Sequence, residues 1–138
     1  MNKTAVTNAF NHAIETEQPV FEQFFLAKFL GLKFDYPDEQ CVITFDVHDY
    51  MFNPQGTLHG GIIATVMDIS MGHLMAKVHG KSTTLEMKTQ YLKAVRGGSL
   101  TCRGEFTRRG RSICFMKSTM TDEDGNVVAL ATATWLPL

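Results

Sequence analysis

The chain has 138 residues, 44% of them hydrophobic and 20% charged, the range of one compact domain with its own core, and a second domain would not fit comfortably. Thirteen basic side chains against fourteen acidic ones leave a formal net charge of −1, so nucleic-acid binding driven by excess positive charge is not expected. The three cysteines, Cys41, Cys102 and Cys114, are odd in number and form no Cys-x-x-Cys pair, which favours reduced thiols packed in strands over a disulfide framework or a zinc site.

In chain order, Met1 to Gln18 is polar and mixed in charge, without the apolar run of a signal peptide, and the expectation is a cytoplasmic protein. Residues from about Ala5 to Glu17 read as a first helix, with Phe10 and Ile14 four apart, and Pro19 marks a break. Phe21, Phe24, Phe25 and Phe29 then read as cover for one end of the core. The greasy patch Phe24 to Leu30 contains Lys28 and is too short to cross a bilayer, so no membrane partner is expected. Residues 1–38 are thus an N-terminal helical and apolar segment within a single domain spanning 1–138. A strand follows from about Gln40 to Val47.

Asn53-Pro54-Gln55-Gly56-Thr57-Leu58-His59-Gly60-Gly61 then runs into an amphipathic helix from about Gly61 to Val78. Ile62, Val66 and Ile69, with Ile63, Met67 and Leu74, have the spacing of a core-facing stripe. Gly61, Ala64, Thr65, Asp68, Gly72 and Ala76 cluster on a second, small and polar side. The first turn of a helix has N–H groups without partners and a dipole that favours negative charge, so this start can hold an oxyanion, and glycine lets a carbonyl approach closely. The commoner use of paired glycines is a sharp turn from loop into helix. Asp68 sharpens the reading, because a carboxylate among small residues needs a partner or a task. Gly61 and Asp68 stand roughly 10 Å apart along the axis. One reacting carbonyl can hardly use both within one chain, which predicts two antiparallel helices about a two-fold axis and a dimer with two composite sites. Met67, Met71 and Met75 read as core or interface packing. His73 lies too far around the helix from Asp68 to pair with it at i, i+4. Asp46, His48 and Asp49 have no recognised ligand spacing, His12 and His79 look peripheral, and no metal site is expected.

Beyond the helix, Leu85, Met87, Thr89 and Tyr91 alternate with Glu86, Lys88 and Gln90 before a turn at Gly97-Gly98. Leu100, Cys102, Gly104 and Phe106 alternate likewise up to Gly110. Ser112 to Thr121 gives another strand, Asp124-Gly125 a hairpin turn, and Val127 to Trp135 the last strand. Five antiparallel strands with one long helix inserted after an early strand read as α+β. Arg108, Arg109 and Arg111 cluster at a turn, where the even alternatives are a solvated charged hairpin and a phosphate contact, to which Arg96 is a further candidate.

Asn53, then His59-Gly60-Gly61, then Asp68 nine positions after the histidine, resemble the hotdog-fold acyl-CoA thioesterases of the phenylacetate-degradation and 4-hydroxybenzoyl-CoA thioesterase type. The resemblance covers nearly the whole chain. It implies a curved antiparallel sheet wrapped around a long central helix, and a homodimer or homotetramer. It would make Asp68 the catalytic carboxylate, as nucleophile or as general base, and the Gly60 N–H the group that polarises the thioester carbonyl, with Gly61 beside it and His59 shaping the loop. Asn53 would orient the substrate or the attacking water, and Thr84 would bring a hydroxyl to that water. Arg96, Arg108, Arg109 and Arg111 become the candidate contacts for the phosphates of coenzyme A, which is part of the substrate, so no separate cofactor is implied. A phenylalanine of the 21–29 run becomes a candidate for the wall of an acyl pocket. Gly72 departs from the pattern, since certain relatives place a threonine four residues after the acid. The same scaffold also serves non-catalytic acyl-CoA-binding modules, which have no need of Asp68, and dehydratases, whose aspartate–histidine pair is spaced differently.

Overall fold

The computed structural model describes residues Met1–Leu138. Helix α1 (Lys3–Thr16) is capped by the Asn2 side chain, which accepts the Ala5 N–H, and packs on the short helix α2 (Phe25–Phe29) through Phe10 and Phe25. Strands β1 (Lys33–Asp35) and β2 (Gln40–Asp46) precede the long helix α3 (Gly60–His79). Strands β3 (Ser82–Tyr91), β4 (Ser99–Arg108), β5 (Cys114–Thr121) and β6 (Val127–Pro137) complete the chain.

All strand pairs are antiparallel, in the order β1-β2-β4-β5-β6-β3, and the six-stranded sheet curves around α3. This is the expected α+β hotdog arrangement, with one strand more than the five expected. Lys33–Asp35 is too short to show alternation, and only pairing of Phe34 with Ile43 makes it a strand.

Period-two alternation builds the inner face. Cys114, Met116, Ser118 and Met120 of β5 are buried, while Phe115 and Lys117 between them are exposed. On β6 the inward residues are Ala129, Ala131, Ala133 and then Trp135, so the sheet is low beneath most of α3 and tall at one end. Met67, Met71 and Met75 are fully buried core. Far from presenting a single stripe, α3 buries nine of its twenty residues; it is also the one helix long and apolar enough to cross a bilayer by composition, a longer apolar stretch than Phe24 to Leu30. It is packed against β2 to β6 instead.

A buried polar clasp sets its height and rotation. The Ser70 hydroxyl meets the Ser118 hydroxyl at 2.8 Å, and Ser118 meets the Cys102 thiol at 3.1 Å. All three cysteines are free and buried, and burial pushes the Cys102 thiol up to about 11 and Cys41 to about 12. The clasp lies two residues past Asp68.

Candidate active site

The loop before α3 is shaped by Asn53. Its side-chain oxygen accepts the Gln55 N–H at 2.9 Å and the Thr57 N–H at 3.3 Å, and its amide donates to Thr57 Oγ1 at 2.9 Å. Those bonds commit most of the Asn53 amide to its own loop. His59 is the N-cap of α3, in extended backbone conformation, and its Nδ1 accepts the Gly61 N–H at 2.8 Å. An accepting Nδ1 places the proton of the neutral ring on Nε2. The cap explains the second glycine, because a Cβ at position 61 would stand 3.0 Å from that nitrogen. Gly61 is therefore a capped donor, whereas none of the capping or loop hydrogen bonds takes the Gly60 N–H. Over Gly60 lies the Tyr91 ring, 3.2 Å from where a Cβ would be, with its hydroxyl donating to the Gly60 carbonyl.

Asp68 lies farther along the helix, half-buried, and accepts a 2.9 Å hydrogen bond from the Thr84 hydroxyl on β3. A local irregularity makes that contact possible. The β3–β6 register shifts between Thr84 and Glu86, so Leu85 is squeezed outward and both Thr84 and Met87 face the helix. Strict alternation back from Met87 predicts Leu85 inside; it is 52% exposed. Burial raises the Asp68 carboxyl above its usual range, and the Thr84 hydrogen bond pulls it partly back. The result is a carboxylate with one oxygen held and a strengthened affinity for a proton.

Asp68 and Thr84 open into a cavity of about 810 Å³ between α3, β3 and the 19–26 segment, walled by Phe21, Phe24, Met87 and Trp135. The phenylalanine run thus contributes to a pocket as well as to packing. Gly72 faces the same space, and the Trp135 indole fills the room a side chain would take there: a Cβ at 72 would lie 2.8 Å from Trp135 Cη2. His73 lines this cavity, buried, with Nε2 accepting the Glu22 N–H at 3.0 Å. Burial holds its pKa below the usual histidine value, a hydrogen bond to the Ile69 backbone pulling the other way. Neither nitrogen serves Asp68, so no aspartate–histidine pair of the dehydratase kind forms.

Asn53 and Gly60 line a second, smaller cavity of about 330 Å³ with Tyr91 and Leu92. Gly60 and Asp68 are eight residues apart on one helix, roughly 12 Å along the axis, and face different cavities. The arginines also divide. Arg96 contacts the Gly56 carbonyl beside the start of α3. Arg108, Arg109 and Arg111 sit on the β4–β5 hairpin, which meets the other end of α3 through Phe106 and Cys114 against His79. Arg109 is paired with Glu39 at 3.0 Å on the surface. Trp135 and Tyr91, which line the two cavities, and Glu22, which holds His73 from behind, are residues that sequence reasoning missed. The paired glycines were the available signal for Tyr91, since a missing Cβ marks close approach by some group.

A family model described as the thioesterase superfamily matches residues 55–129. Over 98 residues the chain is 24% identical to the medium/long-chain acyl-CoA thioesterase YigI of Salmonella typhimurium strain LT2, covering 59% of this chain and 63% of that protein. The PaaI protein from the phenylacetic acid degradation operon of E. coli has the same fold, with a TM-score of 0.81 at 17% identity over 94% of this chain and 96% of its own. A Streptococcus mutans UA159 protein solved bound to acetyl-CoA gives a TM-score of 0.74 at 27% identity, over 78% of this chain and 88% of its own.

Proposed function

The chain belongs to the thioesterase superfamily, and from that premise we propose that it is a cytoplasmic acyl-CoA thioesterase, cleaving an acyl- or aryl-CoA to the free acid and coenzyme A. The observation that carries the reading is Asp68, the one charged side chain in the wall of the large apolar cavity, made more basic by burial and oriented by Thr84. Two routes use it. As a general base Asp68 takes a proton from water, the hydroxide adds to the thioester carbon, the C–S bond breaks, and the proton passes to the departing thiolate. As a nucleophile its free oxygen adds to that carbon and expels the thiolate, and water then cleaves the mixed anhydride. In both, the carbonyl oxygen gains negative charge and calls for a donor, for which the uncommitted Gly60 N–H at a helix start is suited.

The spacing of Gly60 and Asp68 supports a homodimer in which each chain completes the other's site. The ten-residue strand β3 ends the sheet with an unpaired edge, against three residues at the β1 edge. An antiparallel partner on β3 would extend the sheet about a two-fold axis and lay two α3 helices in opposite directions. The start of one helix then comes beside the middle of the other. The same operation would bring the β4–β5 hairpin of one chain to the end of the sheet where Arg96 of the other lies, and the four arginines would then serve one coenzyme A; a homotetramer would pair two such dimers.

Steady-state hydrolysis of phenylacetyl-, benzoyl-, short-chain and long-chain acyl-CoA by wild type and Asp68→Ala tests the activity. Turnover of at least one substrate that falls at least a hundredfold in the folded variant is expected. Tight acyl-CoA binding without turnover would make the chain a binding module on the same fold.

A further inference from the structure

The segment between α1 and α2 closes on itself through Gln18 N–H to the Gln23 carbonyl and Gln23 N–H to the Val20 carbonyl. Glu22 at its crest has a φ of +70°, a left-handed conformation that costs a non-glycine residue free energy and needs compensation. Two contacts on Glu22 provide it, and a third steadies its partner Tyr36. The Glu22 N–H donates to His73 Nε2, its carboxylate accepts the Tyr36 hydroxyl at 2.5 Å, and Lys77 lies over the Tyr36 ring. The His73 ring is held between Phe34, stacked at 4.7 Å, and Phe21, edge-on at 4.9 Å. One imidazole on α3 therefore fixes both the backbone and an aromatic side chain of this strap.

The strap is also the far wall of the cavity that holds Asp68. Val20, Phe21 and Leu26 line that cavity and remain 53%, 58% and 46% exposed, an apolar rim with nothing against it in the chain. Apart from Asp68 the lining carries no charge, and the one titratable neighbour, His73, has its accepting nitrogen occupied. His73 follows Asp68 by five residues, roughly 7 to 8 Å along the helix. A group bound with its carbonyl at Asp68 reaches the strap only if it is longer than acetyl.

We propose that the strap, latched by His73, is the specificity wall for the distal end of an apolar acyl group, and that His73 is a positioning residue that acts through Glu22 and Phe21. The substrate class is medium-length aliphatic or arylalkanoyl thioesters, with acyl groups that end in a carboxylate rejected by Asp68 and by the absence of a cation in the lining. This rests on the thioesterase reading, and the experiment separates the two. KM and kcat are measured with acetyl-, octanoyl-, phenylacetyl- and succinyl-CoA for wild type, His73→Leu, His73→Gln and Phe21→Ala. In His73→Leu and Phe21→Ala the ratio of octanoyl KM to acetyl KM rises on the order of tenfold, the scale of a few lost apolar contacts, with kcat less affected. Glutamine, whose amide oxygen accepts the Glu22 N–H, recovers part of the ratio. If His73→Leu does not fold, the half-exposed Phe21 provides the test alone. A ratio unchanged in both Phe21→Ala and His73→Leu, or succinyl-CoA as the preferred substrate, overturns the proposal. Quenching of Trp135, the chain's single tryptophan, reads binding without turnover. Binding graded by chain length and altered by His73→Leu in the absence of hydrolysis sinks the thioesterase reading and keeps the strap, whereas hydrolysis without grading sinks the strap alone.

Discussion

Replacing Gly72 by alanine sets the preference of the helix against the packing of the site. In an exposed helix interior the change stabilises by about 1 kcal/mol, because alanine loses less backbone entropy. Here the new Cβ would stand 2.8 Å from Trp135 Cη2, with Cζ3 at 3.5 Å and Cζ2 at 3.6 Å. Carbon atoms in contact prefer roughly 3.5–4.0 Å, so the ring edge must retreat by about 0.7 Å or more. Trp135 is 5% exposed and registers between Thr84 of β3 and Cys114 of β5, which leaves the cavity as the direction of retreat. Overpacking of this kind costs about 1–3 kcal/mol, so the net effect is a destabilisation of about 0–2 kcal/mol. For a domain of this size each kcal/mol lowers Tm by roughly 3–5 °C. Thermal unfolding should therefore show a Tm at or below wild type, with an increased KM for octanoyl-CoA as the indole enters the acyl space. A Tm several degrees above wild type with an unchanged KM would refute the seating of Trp135 against Gly72.

Thr84→Val keeps the shape at β3 and removes the hydroxyl that holds the Asp68 carboxyl down against desolvation, so the acid limb of the kcat/KM profile should move to higher pH. A limb that stays in place would show that some other group governs it. Because burial raises the folded Asp68 carboxyl above its ordinary value near 3.8, its contribution to stability is present below that pH and is lost as pH rises through the folded value. Asp68→Asn should accordingly have a higher Tm than wild type at pH 7 and nearly the same Tm near pH 3.5, and a lower Tm at pH 7 counts against the buried-acid account. Arg109→Glu breaks a surface pair with Glu39, worth about 0–1 kcal/mol, and a long 6.0 Å contact over the Phe106 ring, so Tm should move little. Its KM should rise for acyl-CoA but not for the same acyl group on a short thiol; equal effects would remove the hairpin from coenzyme A binding.

Long and strongly patterned features were legible from the residues. The glycine-led start of α3, the alternation along β4 and the hairpin turn at Asp124-Gly125 all depend on local chemistry that survives in one dimension. The three-residue β1 did not, because pairing with β2 alone makes it a strand. The inward face of Thr84 was hidden for a related reason: a single bulged residue, Leu85, reverses parity, and no turn residue announces it. Asp68 stood out as an acid among small residues. What surrounds it did not, since Trp135 over Gly72 and Glu22 on His73 join positions 63 and 51 residues apart. The two glycines read either as room for a ligand or as a sharp turn into the helix, and their immediate occupants are the His59 and Tyr91 rings, which spacing cannot reveal.

Complementation between two inactive chains tests most directly whether Asp68 and the Gly60 N–H act on one thioester across a two-fold axis. Asp68→Asn removes the carboxylate. Gly60→Pro removes the N–H at the first helical position, where the backbone suits proline and His59 already has the extended conformation that a following proline requires; its Cβ meets the Tyr91 ring at 3.2 Å, so that exposed ring must shift by a few tenths of an ångström. Mixed dimers isolated through two different tags carry one complete site and one doubly defective site. The account predicts that each parent is inactive and that mixed dimers regain roughly half of wild-type octanoyl-CoA hydrolysis. Mixed dimers no more active than their parents would contradict it.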